Sequence, residues 1–199
     1  MLGGTEPAFD RDTCQAGTQE HLFEAIARSR SSVRNFGPGI VDVSIIEACV
    51  RIAQTSPSVC NRQSARVRSY ARGEGADAVL ALQNGNRGFG ATASHVLLVT
   101  SDLTAFLTPG ERNQAFIDGG MFAMTLVYAL HDRGVDSCCL NWSTVRSQDR
   151  KLRALLGLPE EEVVMMMIAI GFASENSSVT KSPQRDVNRV YLNLASSDL

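Results

Sequence analysis

Two runs of consecutive apolar residues, 95–100 and 163–172, constrain the fold of this 199-residue chain more than any other feature. Each run is typical of a β-strand that is buried on both faces. Between and around these runs, apolar residues recur at spacings of three and four, which is the pattern of helices with one buried side. This alternation predicts one domain of the α/β or α+β class, in which helices cover a central sheet.

Turn and capping residues mark where the helices begin and end. Thr108, Pro109 and Glu111 have the spacing of a capping box, which predicts that a long helix begins near Glu111. Gly119 and Gly120 lie inside this helix at a cost of about 1 kcal/mol each relative to alanine. They indicate close approach by another backbone or a flat ligand. Further helices are predicted at 18–29, 42–56, 76–83 and 146–156, and further strands at 66–71 and 135–140.

Composition limits the possible partners. With 44% hydrophobic residues and a net charge of −2, the chain can bury a sizeable core and has no electrostatic reason to bind nucleic acid. No stretch approaches the ~20 apolar residues of a membrane span, so neither nucleic acid nor a membrane is expected as a partner. Residues 1–17 lack periodicity and are predicted to form a mobile tail, which leaves 18–199 as a single domain.

The five cysteines and three histidines are irregularly spaced. They predict neither a disulfide framework nor a zinc site, and we expect no bound metal. The first residues also lack the basic and apolar regions of a secretory signal. Together these features predict a protein of the reducing cytoplasm.

Four short polar stretches lie at the ends of predicted elements, at 30–36, 56–63, 84–90 and 181–185. The first contains Arg30 and Arg34, and guanidinium groups beside hydroxyls match the oxygens of a phosphate. In the third, glycines allow a ligand to approach the backbone closely. Each stretch also has a plain alternative as a solvated helix end or a surface loop.

The order of these stretches along the chain carries more information than any one of them. Arg-Ser-Ser-Val-Arg-x-Phe comes first, and Ser-Pro-Ser-x-x-Asn-x-Gln, Asn86, Ser-His-Val-Leu-Leu-Val, Asp-Gly-Gly-Met, Leu-Asn-Trp and Lys-Ser-Pro-Gln-Arg follow in that order. Over about residues 18–194 the pattern resembles the FMN-dependent nitroreductase family. The resemblance implies an α+β sandwich with a central, mostly antiparallel sheet flanked by helices. It also implies a homodimer that holds FMN at the subunit interface.

The resemblance implies roles for individual residues. Arg30 and Ser32 match positions at the FMN phosphate and ribityl chain, with Ser31 in place of the second Arg or His that is usual there. Arg34 matches the cation at the flavin N1 and O2 edge, where negative charge develops on reduction. Asn141 lies in the segment whose backbone N–H faces flavin N5. Arg34 and Asn141 are therefore the implied catalytic positions.

Loops supply the other implied contacts. Pro57, Ser58 and Asn61 match the loop that reaches the flavin of the partner subunit, and Asn86 matches the amide at the pyrimidine edge. The Lys and Arg of 181–185 match a C-terminal phosphate clamp, although the usual Lys-x-Arg spacing is not kept. The full implied cofactor-binding set is Arg30, Ser31, Ser32, Arg34, Pro57, Ser58, Asn61, Asn86, Cys139, Leu140, Asn141, Lys181 and Arg185.

Two departures from the family pattern bear on the activity. Only about ten residues separate the strand at 95–100 from the helix near Glu111. The helical excursion that covers the flavin in many members is therefore missing, which makes this a short, lid-poor sequence. Leu-Asn-Trp at 140–142 stands where nitroreductases often have Gly or Glu-Gly. Trp142 could stack near the flavin ring or fill the core.

The main hypothesis from the resemblance is an FMN-dependent oxidoreductase with NAD(P)H as co-substrate. It would work by ping-pong hydride transfer through flavin N5 to a small organic acceptor such as a nitroaromatic or a quinone. Two alternatives stay open. The missing excursion motivates a substrate-specific flavin dehydrogenase or oxidase of a biosynthetic pathway, and the altered residue Ser31 motivates a catalytically silent flavin-binding dimer.

Overall fold

A four-stranded antiparallel sheet forms the centre of the domain. The computed structural model describes residues 4–7 and 22–193. The strands are β1 (Gly4–Pro7), β2 (Ala65–Ala71), β3 (His95–Asp102), β4 (Asp136–Asn141), β5 (Glu162–Gly171) and β6 (Ser178–Lys181). The central sheet has the order β2–β3–β5–β4 with every neighbouring pair antiparallel, and β1 pairs with β6 in a separate ribbon.

The helices begin and end at recognisable residues. They are α1 (Leu22–Ser29), α2 (Val43–Ala53), α3 (Glu74–Leu80), α4 (Gln114–Asp132) and α5 (Arg146–Leu156). The Asp42 carboxylate accepts a hydrogen bond of 2.7 Å from the Ser44 N–H and so caps α2. Gly157, with a φ of 58°, ends α5 in the left-handed conformation. Within the described residues, none of the helices is both long and apolar enough to cross a bilayer.

Helices cover both faces of the sheet, which explains the two apolar runs. On one face, α2 and α4 pack against Leu97 and Ile168. On the other face, α3 and α5 pack against Leu98 and Met167. Successive residues of a strand point to opposite faces, so both members of each adjacent pair must be apolar. This arrangement confirms the predicted α+β fold with a mostly antiparallel central sheet.

The long helix begins slightly later than the sequence predicts. The Glu111 carboxylate accepts hydrogen bonds from the backbone N–H groups of Leu107 and Thr108, at 2.8 and 3.2 Å, as in a capping box. This box closes a 3-10 turn at Pro109–Glu111, and α4 itself starts at Gln114. Residues 103–113 therefore contain only short 3-10 turns, in agreement with the expected lack of a helical excursion.

Gly119 lies against a side chain of the central sheet. A Cβ atom added there would lie 2.8 Å from the Met165 Sδ atom, so the glycine lets α4 approach β5 closely. The close neighbour is therefore a methionine side chain, and not the second backbone or flat ligand expected from the sequence. At Gly120, an added Cβ would meet no described atom within 4 Å.

The predicted tail at 1–17 contains a strand. Within that range the structure describes Gly4–Pro7 as β1, paired antiparallel with β6 so that Gly4 lies opposite Lys181. The sequence pattern missed both strands, because four-residue strands carry too little periodicity to be recognised. The remaining residues of 1–17 lie outside the described part of the chain.

A partly buried ion pair and a neighbouring threonine join three strands of the sheet. Arg68 on β2 donates two hydrogen bonds to the Glu162 carboxylate on β5, at 2.6 and 2.9 Å. Thr100 on β3 donates a third, at 2.7 Å. These bonds, led by the one from Arg68, hold the pKa of the Glu162 carboxyl below its ordinary value of 4.5, although burial opposes the shift.

Glu162→Gln should therefore show a pH-dependent loss of stability. A carboxyl with a lowered pKa stabilises the folded state above its unfolded pKa, and this contribution disappears as the pH falls through the folded value. At pH 7 we expect the variant to lose about 2 kcal/mol of unfolding free energy. The difference from the unsubstituted protein should shrink below pH 4.5. Urea denaturation at several pH values measures it, and exposed Glu160→Gln is the control. A difference that does not change with pH would contradict this account.

Candidate functional site

Residues 30–37, which follow α1, run beside the sheet edge at β4. Ser32 forms a parallel β-bridge with Ser137, and the Val33 N–H donates to the Ser137 carbonyl at 3.0 Å. Further along, Phe36 forms an antiparallel bridge with Ala173. Val33 and Phe36 are buried in the α3–α5 core, which fixes this segment against the sheet.

Arg30 and Arg34 place two positive charges at this edge. Burial raises the pKa of the Cys138 thiol on β4, and the nearby charges of Arg34 and Arg30 oppose that shift. Among residues 22–193, no carboxylate lies within 4.0 Å of either guanidinium group. Two neighbouring cations without a carboxylate partner in the described chain form a candidate anion site.

The residues of β4 alternate between core and surface beside these cations. Cys138 and Leu140 are buried, at 2% and 3% exposure. Cys139 and Asn141 are exposed on the opposite side of the strand. Because the Leu140 side chain belongs to the core, only its backbone could touch a ligand. Cys139 and Asn141 could offer both backbone and side chain.

Loop 84–93 approaches the same region from α3. Asn86 donates through its Nδ2 atom to the carbonyls of Leu80 and Gln83, at 2.8 and 2.6 Å, and so caps the end of the helix. The Gln83 amide then donates to the Asn141 carbonyl at 3.0 Å. The predicted residues Asn86 and Asn141 are thus linked through one buried side chain, which the sequence analysis did not identify.

Arg72 fastens residues 30–38 to loop 84–93. Its guanidinium group donates to the carbonyls of Gly37 and Pro38 on one side and to those of Thr92 and Ala93 on the other. The bonds to Gly37, Pro38 and Ala93 are each 3.0 Å long. The sequence offers no signal for this role, because Arg72 directly follows the predicted strand at 66–71, where an arginine indicates only an exposed position.

The C-terminal strand starts beside the same segment. The Asn35 carbonyl accepts hydrogen bonds from the Ser174 N–H at 3.0 Å and the Ser177 hydroxyl at 2.8 Å. β6 follows directly, and its Val179 is buried in the same core cluster as Val33. These contacts place the start of β6 beside residues 33–35. Arg185 lies further along, in an exposed stretch without regular structure.

The predicted site residues of loop 57–63 lie on the other face of the sheet. Pro57, Ser58 and Asn61 follow α2 on the face of the sheet that α2 and α4 cover, whereas Asn86 follows α3 on the opposite face. The backbone of loop 57–63 is strained, with positive φ angles of 48° at Cys60, 54° at Asn61 and 49° at Gln63. Non-glycine residues adopt this region rarely and at a cost, often at functional sites.

A buried carboxylate on α4 holds this strained loop. Asp118, 4% exposed, accepts from the Val59 N–H at 3.1 Å and from the Gln114 amide at 2.7 Å. Nearby, Arg62 donates to Glu111 at 2.5 Å. A cavity of about 280 Å³ lies beneath the loop and is lined in part by Asp118.

Asp118→Asn should loosen loop 57–63. An amide nitrogen cannot accept the Val59 N–H, so the asparagine must present its oxygen to Val59 and the Gln114 amide must turn over to accept from its nitrogen. In either orientation the negative charge that strengthens both bonds is lost. We expect a loss of about 1–2 kcal/mol in unfolding free energy. The loop should also be cut by protease at least about fivefold faster in the folded protein. Asp132→Asn, on the exposed end of α4, is the control. Unchanged proteolysis of the loop would show that Asp118 does not hold it.

Trp142 lies on the face of the sheet that α3 and α5 cover. Its ring packs against the α3–α5 cluster, and its indole N–H donates to the Asp149 carboxylate on α5 at 2.8 Å. Of the two alternatives for this residue, the structure favours core packing.

Comparison with known proteins defines the family. The model of the nitroreductase family matches residues 27–172. The chain belongs to the nitroreductase family. The match covers all the segments that converge on β4 except the stretch from turn 174–177 onward. A search of the curated proteins finds no match.

Solved structures show the same fold. A nitroreductase family protein from Streptococcus pneumoniae has a TM-score of 0.72 at 18% identity, over 86% of this chain and 100% of that one. An FMN-dependent nitroreductase from Clostridium difficile has a TM-score of 0.72 at 17% identity, over 85% and 98%. A protein named as a nitroreductase from Desulfovibrio desulfuricans, solved in complex with FMN, has a TM-score of 0.75 at 19% identity, over 89% and 99%.

Proposed function

We propose that this chain is an FMN-dependent NAD(P)H oxidoreductase, which transfers electrons in a ping-pong cycle to a small organic acceptor such as a nitroaromatic or a quinone. The observation that carries the proposal is the convergence of residues 30–37, loop 84–93 and β4, with Arg30 and Arg34 beside Cys138. Family membership gives this convergence its chemical meaning. Related structures include one solved with FMN and one named NAD(P)H:FMN oxidoreductase.

The residues at this edge fit FMN in their charge and donor types. The phosphate and the N1 and O2 edge of the flavin each favour a cation without a competing carboxylate, and Arg30 and Arg34 would supply one each among the described residues. Ser31 and Ser32 add hydroxyl groups in the same segment, and Asn86 is linked to the end of β4 through Gln83. Lys181 and Arg185 complete the set as a C-terminal phosphate clamp, a role that remains a prediction for both.

The chain positions and polarises the cofactor. When bound, FMN supplies the two-electron redox chemistry. The backbone N–H of Asn141 would be offered to the N5 edge of the ring, and Asn141 lies at the exposed end of β4. Arg34 would place a positive charge at the N1 and O2 edge, which favours the state that carries more negative charge.

We further propose that two copies of the chain form the active unit, with FMN at their interface. A shallow groove of about 600 Å³ lies between α1, α2 and α4. Its apolar lining residues include Phe23, Ile52, Met121 and Met124, which are 36–67% exposed. Val187, Val190, Tyr191 and Leu192 near the C-terminus are 66–75% exposed. Apolar surface of this extent is typical of a subunit interface, and the adjacent loop 57–63 would reach the flavin of the partner subunit.

Met124→Glu should disrupt this dimer. The substitution would bury a carboxylate in an apolar contact, and we expect the dimer dissociation constant to rise at least about 30-fold. Leu155→Glu, at a similarly exposed apolar position on α5, is the matched control. Sedimentation velocity over a range of concentrations measures the change. A monomeric unsubstituted protein, or a Met124→Glu dimer as tight as the control, would contradict the proposal.

Anaerobic spectroscopy tests the proposed activity. The purified protein loaded with FMN should lose its flavin absorbance on addition of NADH or NADPH and regain it on addition of a quinone or a nitroaromatic. A flavin that stays oxidised after NADH and NADPH would contradict the proposed oxidoreductase and support the catalytically silent dimer.

The short segment 103–113 supports a second candidate, a substrate-specific flavin dehydrogenase or oxidase. Only 3-10 turns occupy this segment, and Leu107 is 78% exposed, so a bulky substrate would meet little covering structure there. Oxygen-dependent turnover without NAD(P)H would favour this candidate. The cytoplasmic location expected from the sequence stays a prediction.

A further inference from the structure

Gln83 is a buried polar residue to which the proposed function assigns no role. It is 6% exposed and lies three residues beyond the last residue of α3. Its Nε2 atom donates to the Asn141 carbonyl at 3.0 Å, and its Oε1 atom accepts from the Gly85 N–H at 2.6 Å. The Asn86 amide also donates to that Oε1 atom at 3.1 Å.

The two ends of this side chain serve different parts of the site. The oxygen holds loop 84–93 through Gly85 and Asn86, and the nitrogen holds the last residue of β4. Asn141 and Gln83 are 58 positions apart in the sequence. Because the side chain is buried, leaving either end without a partner would carry the desolvation cost of an unpaired polar group.

We propose that Gln83 is a positioning residue that sets the Asn141 peptide and the Asn86 loop in a fixed relation. The inference rests on the proposed function, in which Asn141 faces flavin N5 and Asn86 faces the pyrimidine edge. Gln83 acts through these two residues and touches no reacting atom itself. A small displacement of a group at the reacting centre lowers the rate strongly even when the ligand still binds.

Two substitutions distinguish the role of the Gln83 amide nitrogen from that of its oxygen. Gln83→Glu keeps two acceptor oxygens for Gly85 and Asn86, but an ionised carboxylate cannot donate to the Asn141 carbonyl. Gln83→Met has a similar volume and loses both connections. Gln148 supplies a matched control, because its amide donates to the Leu82 carbonyl at 3.0 Å, close to Gln83 in the chain but without contact to Asn141 or Asn86.

The experiment compares Gln83→Glu, Gln83→Met and Gln148→Glu with the unsubstituted protein, each loaded with FMN. Stopped-flow absorbance under anaerobic conditions gives the rate constant for flavin reduction by saturating NAD(P)H, and fluorescence titration gives the FMN affinity. For Gln83→Glu we expect the rate constant to fall about tenfold, with FMN affinity within about threefold. For Gln83→Met we expect both to fall about tenfold. For Gln148→Glu we expect neither to change beyond twofold.

Two results would overturn the inference. One is a Gln83→Glu rate constant within twofold of that of the unsubstituted protein. The other is an equal loss of rate in Gln148→Glu, which would show a general effect of a new charge near α5. Failure of the proposed function gives a separate result. In that case the unsubstituted protein itself would bind no FMN, or its bound flavin would not be reduced by NAD(P)H.

Discussion

Arg30→Ala is expected to weaken FMN binding by about 30- to 100-fold. A charge-assisted hydrogen bond to a phosphate contributes about 1.5–3 kcal/mol, and the phosphate end of FMN is the part of the cofactor that most needs a cation. Arg30 has no carboxylate partner among the described residues that could share its charge. Its backbone N–H donates to the Ile26 carbonyl at 3.1 Å, which alanine preserves, so the fold should not change.

Arg28→Ala provides the matched control for this experiment. Arg28 lies two residues before Arg30, in the last turn of α1, and its side chain is 78% exposed in an ion pair with Glu24. An exposed i,i+4 pair contributes little to stability, so FMN affinity should stay within about twofold. Fluorescence quenching at two salt concentrations measures both variants. Equal FMN affinity for Arg30→Ala and Arg28→Ala would remove Arg30 from the phosphate site.

Arg72→Ala is expected to cost about 3 kcal/mol of unfolding free energy. The guanidinium group donates to four backbone carbonyls in two segments, and its removal leaves them partly buried without these donors. Lysine cannot reproduce the planar fork, so Arg72→Lys should recover less than half of the loss. Because the same bonds join residues 30–38 to loop 84–93, FMN affinity should fall as well.

Urea denaturation of Arg72→Ala and Arg66→Ala tests this expectation. Arg66 lies on β2, six residues before Arg72, and its side chain is 49% exposed in a long ion pair of 3.6 Å with Asp102. Its loss should cost less than about 1 kcal/mol. If Arg72→Ala lowered the unfolding free energy no more than Arg66→Ala, the four hydrogen bonds of Arg72 would contribute nothing measurable to the stability of the domain.

Much of the fold could be predicted from local sequence patterns. The helix at 146–156 was predicted with the bounds that the structure shows, because Gly157 ends it in a conformation that favours glycine. The buried strands β3 and β5 were recognisable because both faces of the sheet are covered. The capping box at Thr108 was correct, but it closes a 3-10 turn, and α4 starts three residues after Glu111.

The candidate site was predictable only through the order of its motifs. Arg30 and Arg34 share one polar stretch, but nothing local shows that this stretch runs beside β4. Gln83, Arg72 and Asp118 each contact a segment at least 20 residues away, and such contacts depend on how the elements pack. From the sequence alone, these three residues look like ordinary polar positions, because the contacts exist only in the folded chain.

Titration of FMN into the purified, flavin-free protein tests the central claim most directly. We expect saturable quenching of flavin fluorescence with one FMN per chain and a dissociation constant below about 10 µM. Arg30→Ala measured in the same titration should shift the curve to higher FMN concentration. Fluorescence that rises linearly with added FMN, as it does in buffer alone, would contradict the claim that residues 30–37, loop 84–93 and β4 form a flavin site.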